Sequence, residues 1–285
     1  MRSNTSENLI SRIAKLLVAC VFAVATAART FVLRKLGRPV PWTFSVLMYH
    51  LIRTDEVGAF AGQMDTLGRL TQIVSPDFQE RDARPGNSYA AVTFDDGYGS
   101  FIENALPILM ERRIPVVVFV TSGYPSDRPE WIRDSTHPCA SERLMGLARV
   151  VEVAGRGVGI GSHSVSHRRL ADLRTAEVSA ELVDSKKALE DALGSEVPLF
   201  AFPYGSYNDE CIRLAGVAGY QRVFLSEPLR SPTNLAGHVA GRVSVEPSDW
   251  ALEFRLKALG AYRWLPVAIA LKSRLRRQTR IYGKA

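Results

Sequence analysis

Between Phe44 and Val245 the chain alternates short apolar runs, many of them β-branched, with stretches whose apolar residues recur at helical spacing. Pro115-Val116-Val117-Val118-Phe119-Val120-Thr121 is the clearest run. It is apolar almost without a break, as a parallel strand covered on both faces has to be. Phe44–Tyr49, Tyr89–Phe94, Val158–Ser162, Leu199–Phe202, Arg222–Leu225 and Gly241–Val245 read the same way. Helical spacing fills the gaps, over Phe60–Leu70, Ile102–Arg113, Glu142–Ala154, Thr175–Leu193 and Asp209–Ala218. Strands and helices in alternation imply a parallel sheet with crossover helices. About seven such strands favour a distorted (β/α) barrel over an open sheet, so the expected class is α/β.

The polar residues fall where such a barrel would use them. His50, Asp95-Asp96, His163 and Tyr204 each follow the end of an expected strand. In a βα barrel those ends converge on one face, where side chains from distant parts of the chain meet.

Three segments carry chemistry in their residue types. In Thr93-Phe94-Asp95-Asp96-Gly97 two carboxylates stand side by side, which is costly unless a cation or a proton relieves their repulsion. A metal bound by one can leave the other free as a base, although a DDG after a strand also serves as an ordinary turn or helix cap. In His163-Ser164-Val165-Ser166-His167 two imidazoles four residues apart can chelate one ion. Two imidazoles and one carboxylate leave coordination positions open, which is the pattern of catalytic rather than structural metals. The third segment is Ala201-Phe202-Pro203-Tyr204-Gly205.

Taken together, TFDDG, HSxSH and the AFPYG segment resemble the polysaccharide deacetylases of the NodB-homology family, carbohydrate esterase family 4, over roughly Ser45 to Asp249. The resemblance implies a metal-dependent hydrolase of acetylated sugars. Asp95 would be the catalytic base, Asp96, His163 and His167 the metal ligands, and the Tyr204 backbone N–H an oxyanion donor. Pro203 and Tyr204 would line the substrate, and Tyr98, by its aromatic face rather than by the resemblance, could stack on a sugar ring. The ion would be zinc first, with cobalt, nickel and manganese also accommodated. The substrate would be an acetylated glycan of a bacterial surface polysaccharide or a lipid-linked sugar. O-deacetylation or deformylation would use the same site, and a catalytically silent glycan-binding barrel is the reading from another class.

Two departures from the family pattern matter. Many members begin the third motif with arginine, where this chain has Ala201 or Phe202. The late leucine–any–histidine motif is also missing, since Leu235-Ala236-Gly237-His238 is one residue too long. Circularly permuted members carry the acid histidine on the first strand in an LMYH sequence, which Leu47-Met48-Tyr49-His50 matches. His50 is therefore the first choice of general acid and His238 the second. Arg242 is the candidate replacement for the missing arginine, pairing with Asp95.

Composition narrows the partners. The 285 residues hold five histidines and a net charge of +7. The basic excess gathers at Arg29–Arg38 and from Lys272 onward, and no basic groove with interleaved aromatics marks the domain, so nucleic acid is not expected. Basic ends beside apolar stretches suit an anionic membrane surface or glycan, or simply solvent. The three cysteines, Cys20, Cys139 and Cys211, form no metal-type pair and imply no disulfide framework.

The chain divides into an apolar and basic segment (1–42), the barrel domain (43–250) and an aromatic and basic tail (251–285). Leu16–Ala28 reads as a signal peptide or signal anchor, or as an interfacial helix; a lipobox at Cys20 is disfavoured because the apolar run continues past it. Location therefore stays open between membrane-associated, exported and cytoplasmic. Oligomeric state is not legible. His137 is expected in a loop, and Trp131 either in the core or against a sugar ring.

Overall fold

A computed structural model describes residues 9–123, 128–137 and 139–269; the basic tail from Lys272 onward lies outside the described residues. The elements in chain order are α1 (Leu9–Lys35), β1 (Thr43–Tyr49), α2 (Val57–Leu70), β2 (Gln72–Ile73), β3 (Ser88–Phe94), α3 (Leu106–Glu111), β4 (Val116–Val120), α4 (Leu147–Gly155) and β5 (Gly159–Ser162). They continue with α5 (Thr175–Leu193), β6 (Leu199–Ala201), α6 (Asp209–Val217), β7 (Arg222–Phe224), β8 (Leu235–Ala236), β9 (Val239–Ala240), β10 (Val243–Ser244) and α7 (Ala251–Ala258).

The sheet runs β10-β1-β3-β4-β5-β6-β7-β9-β8, with β2 on β3, and every pairing except β8 with β9 is parallel. The ladder is an open path, but its two sides meet in one segment. β9 pairs with β7, and three residues later β10 pairs with β1. Gly241 and Arg242 between them carry the chain across the seam. The class is thus α/β, with a mainly parallel sheet bent into a distorted barrel that lacks a continuous closing ladder.

β1, β3 and β4 are buried almost along their whole length, which explains their apolar runs. The outward faces of β1, β3 and β4 pack under α2, α3 and α4 around Leu47, Val92, Val118, Phe60 and Leu109. The inward faces form a second cluster around Val46, Ala91, Val117, Phe119 and Phe224. Glycines thin the β5 wall: a Cβ at Gly161 would lie 2.4 Å from the Phe119 ring, so only glycine lets that ring fill the barrel.

Two expected helices are shorter than their apolar spacing implies. Helix α4 begins at Leu147 rather than Glu142. The segment before it is tied in extended form by a Tyr98–Leu144 bridge, by Gly99 N–H to the Arg143 carbonyl (2.7 Å) and by Met145 N–H to the Gly97 carbonyl (2.7 Å). Phe101–Ala105 forms a widened π-type turn before α3, a feature common beside functional sites. At the other end of the chain, α7 is not a free tail: Phe254, Leu256 and Ala258 are buried against α2, β1 and α1.

Candidate active site

The adjacent aspartates are split by the backbone. Asp95 still belongs to the sheet, its N–H bonded to the Tyr49 carbonyl at 2.9 Å. Asp96 turns into the left-handed region (φ 71°) and Gly97 follows it (φ 73°), so the two carboxylates diverge to different partners. Among the described residues six non-glycines have positive φ, and four of them, Asp96, Ser164, His167 and Tyr204, lie here. Such conformations cost of order 1 kcal/mol or more each and persist where the surroundings over-determine them.

Asp95 points into the barrel against Arg242. Arg242 Nη1 donates to Oδ1 at 2.5 Å and Nη2 to Oδ2 at 2.8 Å, while Nε donates to the Leu225 carbonyl at 3.0 Å. The guanidinium is fully buried and sandwiched near the Phe119 and Phe224 rings. Burial by itself would raise the Asp95 carboxyl, but the charges of Arg242, His163 and His50 overcome it and hold the group below its ordinary value. Asp95 is therefore an anion at neutral pH with a fixed orientation.

Asp96 faces the two histidines. His163 Nε2 and His167 Nε2 lie 3.4 and 3.1 Å from Asp96 Oδ1, yet that oxygen has no partner in hydrogen-bonding geometry. The potential ligand atoms of the three residues all lie within 4.8 Å of one another, and all three side chains are buried. His163 Nδ1 sits 2.8 Å from the Ala201 carbonyl, which can only accept, so Nδ1 carries the proton and Nε2 offers its lone pair inward. Burial, with Asp96 opposing, holds His167 below its ordinary value, which keeps the imidazole neutral. Asp96 itself is held well below, because the two histidines outweigh its burial. An anionic carboxylate and two imidazole nitrogens converging on an unsatisfied oxygen are the donor set of a divalent ion.

The loop that presents these histidines has a support that sequence reasoning missed. Glu181, buried on α5, accepts hydrogen bonds from Val165 N–H and Ser166 N–H (both 2.9 Å) and a very short one from the Ser166 hydroxyl. Its only signal in the sequence is an acidic residue on a helical face otherwise occupied by Val178, Leu182 and Leu189. His167 is further held between rings. Trp131 stacks on it at 4.2 Å and 20°, and Tyr204 stands edge-on at 4.5 Å. Trp131 thus abuts a candidate ligand, an option between core and sugar contact that neither expectation covered.

His50 leaves the end of β1 half-buried and close enough for its charge to act on both Asp95 and Asp96. His238 does not come near: its Nε2 is 3.4 Å from the Ile212 carbonyl on the outside of the barrel, beside α6. The second choice of acid is thereby removed. Tyr98 also departs from expectation. At 2% exposure its ring cannot stack on a sugar, and its hydroxyl interacts with Asp96 and Cys139 instead. Pro203 is buried in the turn that carries Tyr204, and Tyr204 itself is half-exposed at the rim with the Arg169 guanidinium 5.6 Å over its ring. His137 Nδ1 accepts from Cys139 N–H in its loop, as a turn residue does.

A family profile described as polysaccharide deacetylase matches residues 82–223. The chain carries a polysaccharide deacetylase domain. Among curated proteins, YxkH of Bacillus subtilis is 26% identical over 167 residues, 59% of this chain and 55% of that protein. A chitooligosaccharide deacetylase of a Bradyrhizobium species is 24% identical over 168 residues, 58% of this chain and 60% of that protein. The matches thus span little more than half the length of these relatives. Among solved structures, IcaB of Ammonifex degensii shares the fold with a TM-score of 0.65 at 23% identity, covering 77% of this chain and all of that one. Streptococcus pyogenes deacetylase PplD, solved with acetate, has a TM-score of 0.62 at 22% identity, covering 78% of this chain and 99% of that one.

Within the polysaccharide deacetylase domain, the matched segment contains Asp95, Asp96, His163, His167 and Tyr204. His50 precedes that segment and Arg242 follows it. Both nevertheless come to the same end of the barrel, because β1 and β10 pair with each other beside β3.

Proposed function

We propose that this domain is a metal-dependent deacetylase that removes N-acetyl groups from amino sugars of a bacterial surface polysaccharide or its lipid-linked precursor. The observation that carries the reading is the division of labour between two adjacent carboxylates: Asp96 converges with His163 and His167, while Asp95 is anchored to Arg242. Those three ligands suit zinc best, with cobalt, nickel or manganese as substitutes. When bound, the ion would supply Lewis-acid polarisation of the acyl carbonyl and acidify water at its open position.

The chain's own residues account for the rest. Asp95, kept anionic by Arg242, takes the proton from the attacking water. Arg242 fixes both carboxylate oxygens through one lone pair each, which leaves the carboxylate oriented and still able to accept. Negative charge developing on the acyl oxygen is met by the Tyr204 backbone N–H, in the turn whose positive φ sets its direction. His50, at the end of β1, donates a proton to the departing sugar amine. Pro203 and Tyr204 shape the rim against the acetylated ring. The placement of His50 before, and Arg242 after, the matched segment favours a circularly permuted arrangement of the family's motifs.

The test is a panel of N-acetylated oligosaccharides incubated with the zinc-loaded protein and read by mass spectrometry. Loss of acetyl groups, abolished by chelation and restored by zinc, supports the reading. Intact oligosaccharides with zinc, cobalt and nickel alike contradict it.

A further inference from the structure

Helix α1 is apolar on the side where a docked helix is normally polar. Its inward stripe includes Arg12, Leu16, Ala19, Cys20, Phe22 and Ala23; Ala19 is completely buried and the apolar ones pack against the main core. Arg12 clamps the stripe to the barrel. It donates to Glu253 at 2.8 Å and to the Ser248 carbonyl at 2.9 Å, and its guanidinium lies 4.3 Å from the Trp250 ring centroid. The opposite stripe holds Ile13, Leu17, Val21, Val24, Phe31 and Val32, each between 41% and 71% exposed. No charged residue interrupts these positions at the i, i+3, i+4 spacing that defines one helical face. Its C-terminal end is basic, with Arg29, Arg34 and Lys35 on the helix and Arg38 just after it.

By length and composition α1 could cross a bilayer. Its packing argues otherwise. Apolar packing of the helix on the main core reaches Ala23, so at most 24–35 extends beyond it, about 18 Å at 1.5 Å per residue. A hydrocarbon core is about 30 Å thick. A docked α1 is too short to span, and among the described residues nothing covers the outward apolar stripe that runs its whole length.

We infer that α1 is a membrane-surface helix: clamped to the barrel through Arg12, it lies in the plane of an anionic bilayer with the Ile13–Val32 stripe in the acyl boundary and Arg29, Arg34, Lys35 and Arg38 among the headgroups. Apolar area and basic charge on one element are the two contributions such binding needs. The orientation has a consequence for the active site. Arg12 meets Ser248 and Glu253 near the C-terminal ends of the strands, while Phe22 lies by Arg263, which reaches Pro232 at the start of β1. The helix therefore runs along the barrel axis, and the candidate active site opens parallel to the membrane, within reach of glycans held at its surface.

The experiment is flotation of the purified full chain with vesicles of phosphatidylcholine alone and with phosphatidylglycerol added, beside a Val21→Glu/Val24→Glu variant. The wild type floats with the anionic vesicles and is released by alkaline carbonate. The variant partitions at least about tenfold less, with an unchanged circular dichroism spectrum and thermal midpoint because those side chains are 71% and 70% exposed among the described residues. Three results would each overturn the inference. The variant could float as well as wild type. Resistance of the wild type to carbonate would indicate a spanning helix. A dimer that the variant alone loses, with no vesicle binding by either protein, would make the cover a second copy. Because vesicle binding is read without substrate, its failure is distinguishable from failure of the deacetylase reading.

Discussion

Arg242 and Asp95 are 147 residues apart in sequence and meet through two parallel hydrogen bonds in a part of the barrel that solvent does not reach. A pair like this links fold and site. Arg242 sits on the segment that joins β9 to β10, so closing the seam of the barrel and orienting Asp95 are one event.

Breaking the pair from either side should be expensive. Arg242→Met leaves a buried anion and Asp95→Asn leaves a buried guanidinium without its counter-charge; each should lose roughly 3–5 kcal/mol of unfolding free energy. The double variant should recover much of that loss, because no uncompensated charge remains. Urea unfolding of all four proteins gives the coupling energy, and simple additivity of the two losses would contradict the account.

Glu181 should control metal affinity without touching the metal. Glu181→Gln keeps the shape but weakens the three hydrogen bonds that fix the His163–His167 loop. Zinc affinity should fall about 10–100-fold while the protein stays folded, measured by competition against a chromophoric chelator. Unchanged affinity would make Glu181 a core residue only.

Two glycines should respond in opposite senses. A Cβ at Gly241, next to Arg242, would lie 2.4 Å from the Leu229 nitrogen and 2.8 Å from the Glu227 carbonyl, and backbone cannot swing aside as a side-chain tip can. Gly241→Ala should destabilise by about 2 kcal/mol or more. Gly62, inside α2, has open space around it, so Gly62→Ala should stabilise by roughly 0.5–1 kcal/mol. Thermal unfolding of both variants checks the contrast.

Asp249 gives a pH dependence of defined sign. Burial outweighs the pull of Lys257 and lifts its carboxyl to about 6. A group raised in the folded state contributes stability that is fully present below its unfolded value, near 3.8, and is lost as pH rises through about 6. Wild type should therefore lose about 1–2 kcal/mol relative to Asp249→Asn between pH 5 and 7.5. A difference between the two that does not vary with pH would show that Lys257 already compensates the charge.

The strands were legible in the sequence because continuous apolar runs have few other uses, and their ends located Asp95, Asp96, His163 and Tyr204. What the sequence left open was set by long-range contact. Nothing local in Glu142–Met145 reports the bridge to Tyr98 that keeps it extended. β8 and β9, of two residues each, are too short to show a pattern. Tyr98 looked like a sugar platform beside Asp96, and only packing reveals that its ring is buried. His50 and His238 were separated by topology alone, since β1 ends at the site and the β8–β9 hairpin packs outside it. The stacking of Trp131 on His167 left no trace in a sequence where the two are separated by α4 and β5.

The central claim is that two adjacent aspartates divide metal binding from base chemistry. Zinc titration and acetate release measured side by side on wild type, Asp95→Asn and His167→Ala test it most directly. Asp95→Asn should bind zinc nearly as wild type does and release acetate at least about 100-fold more slowly, whereas His167→Ala should lose zinc affinity and activity together. Acetate release by Asp95→Asn at the wild-type rate, or wild-type zinc affinity in His167→Ala, would contradict it.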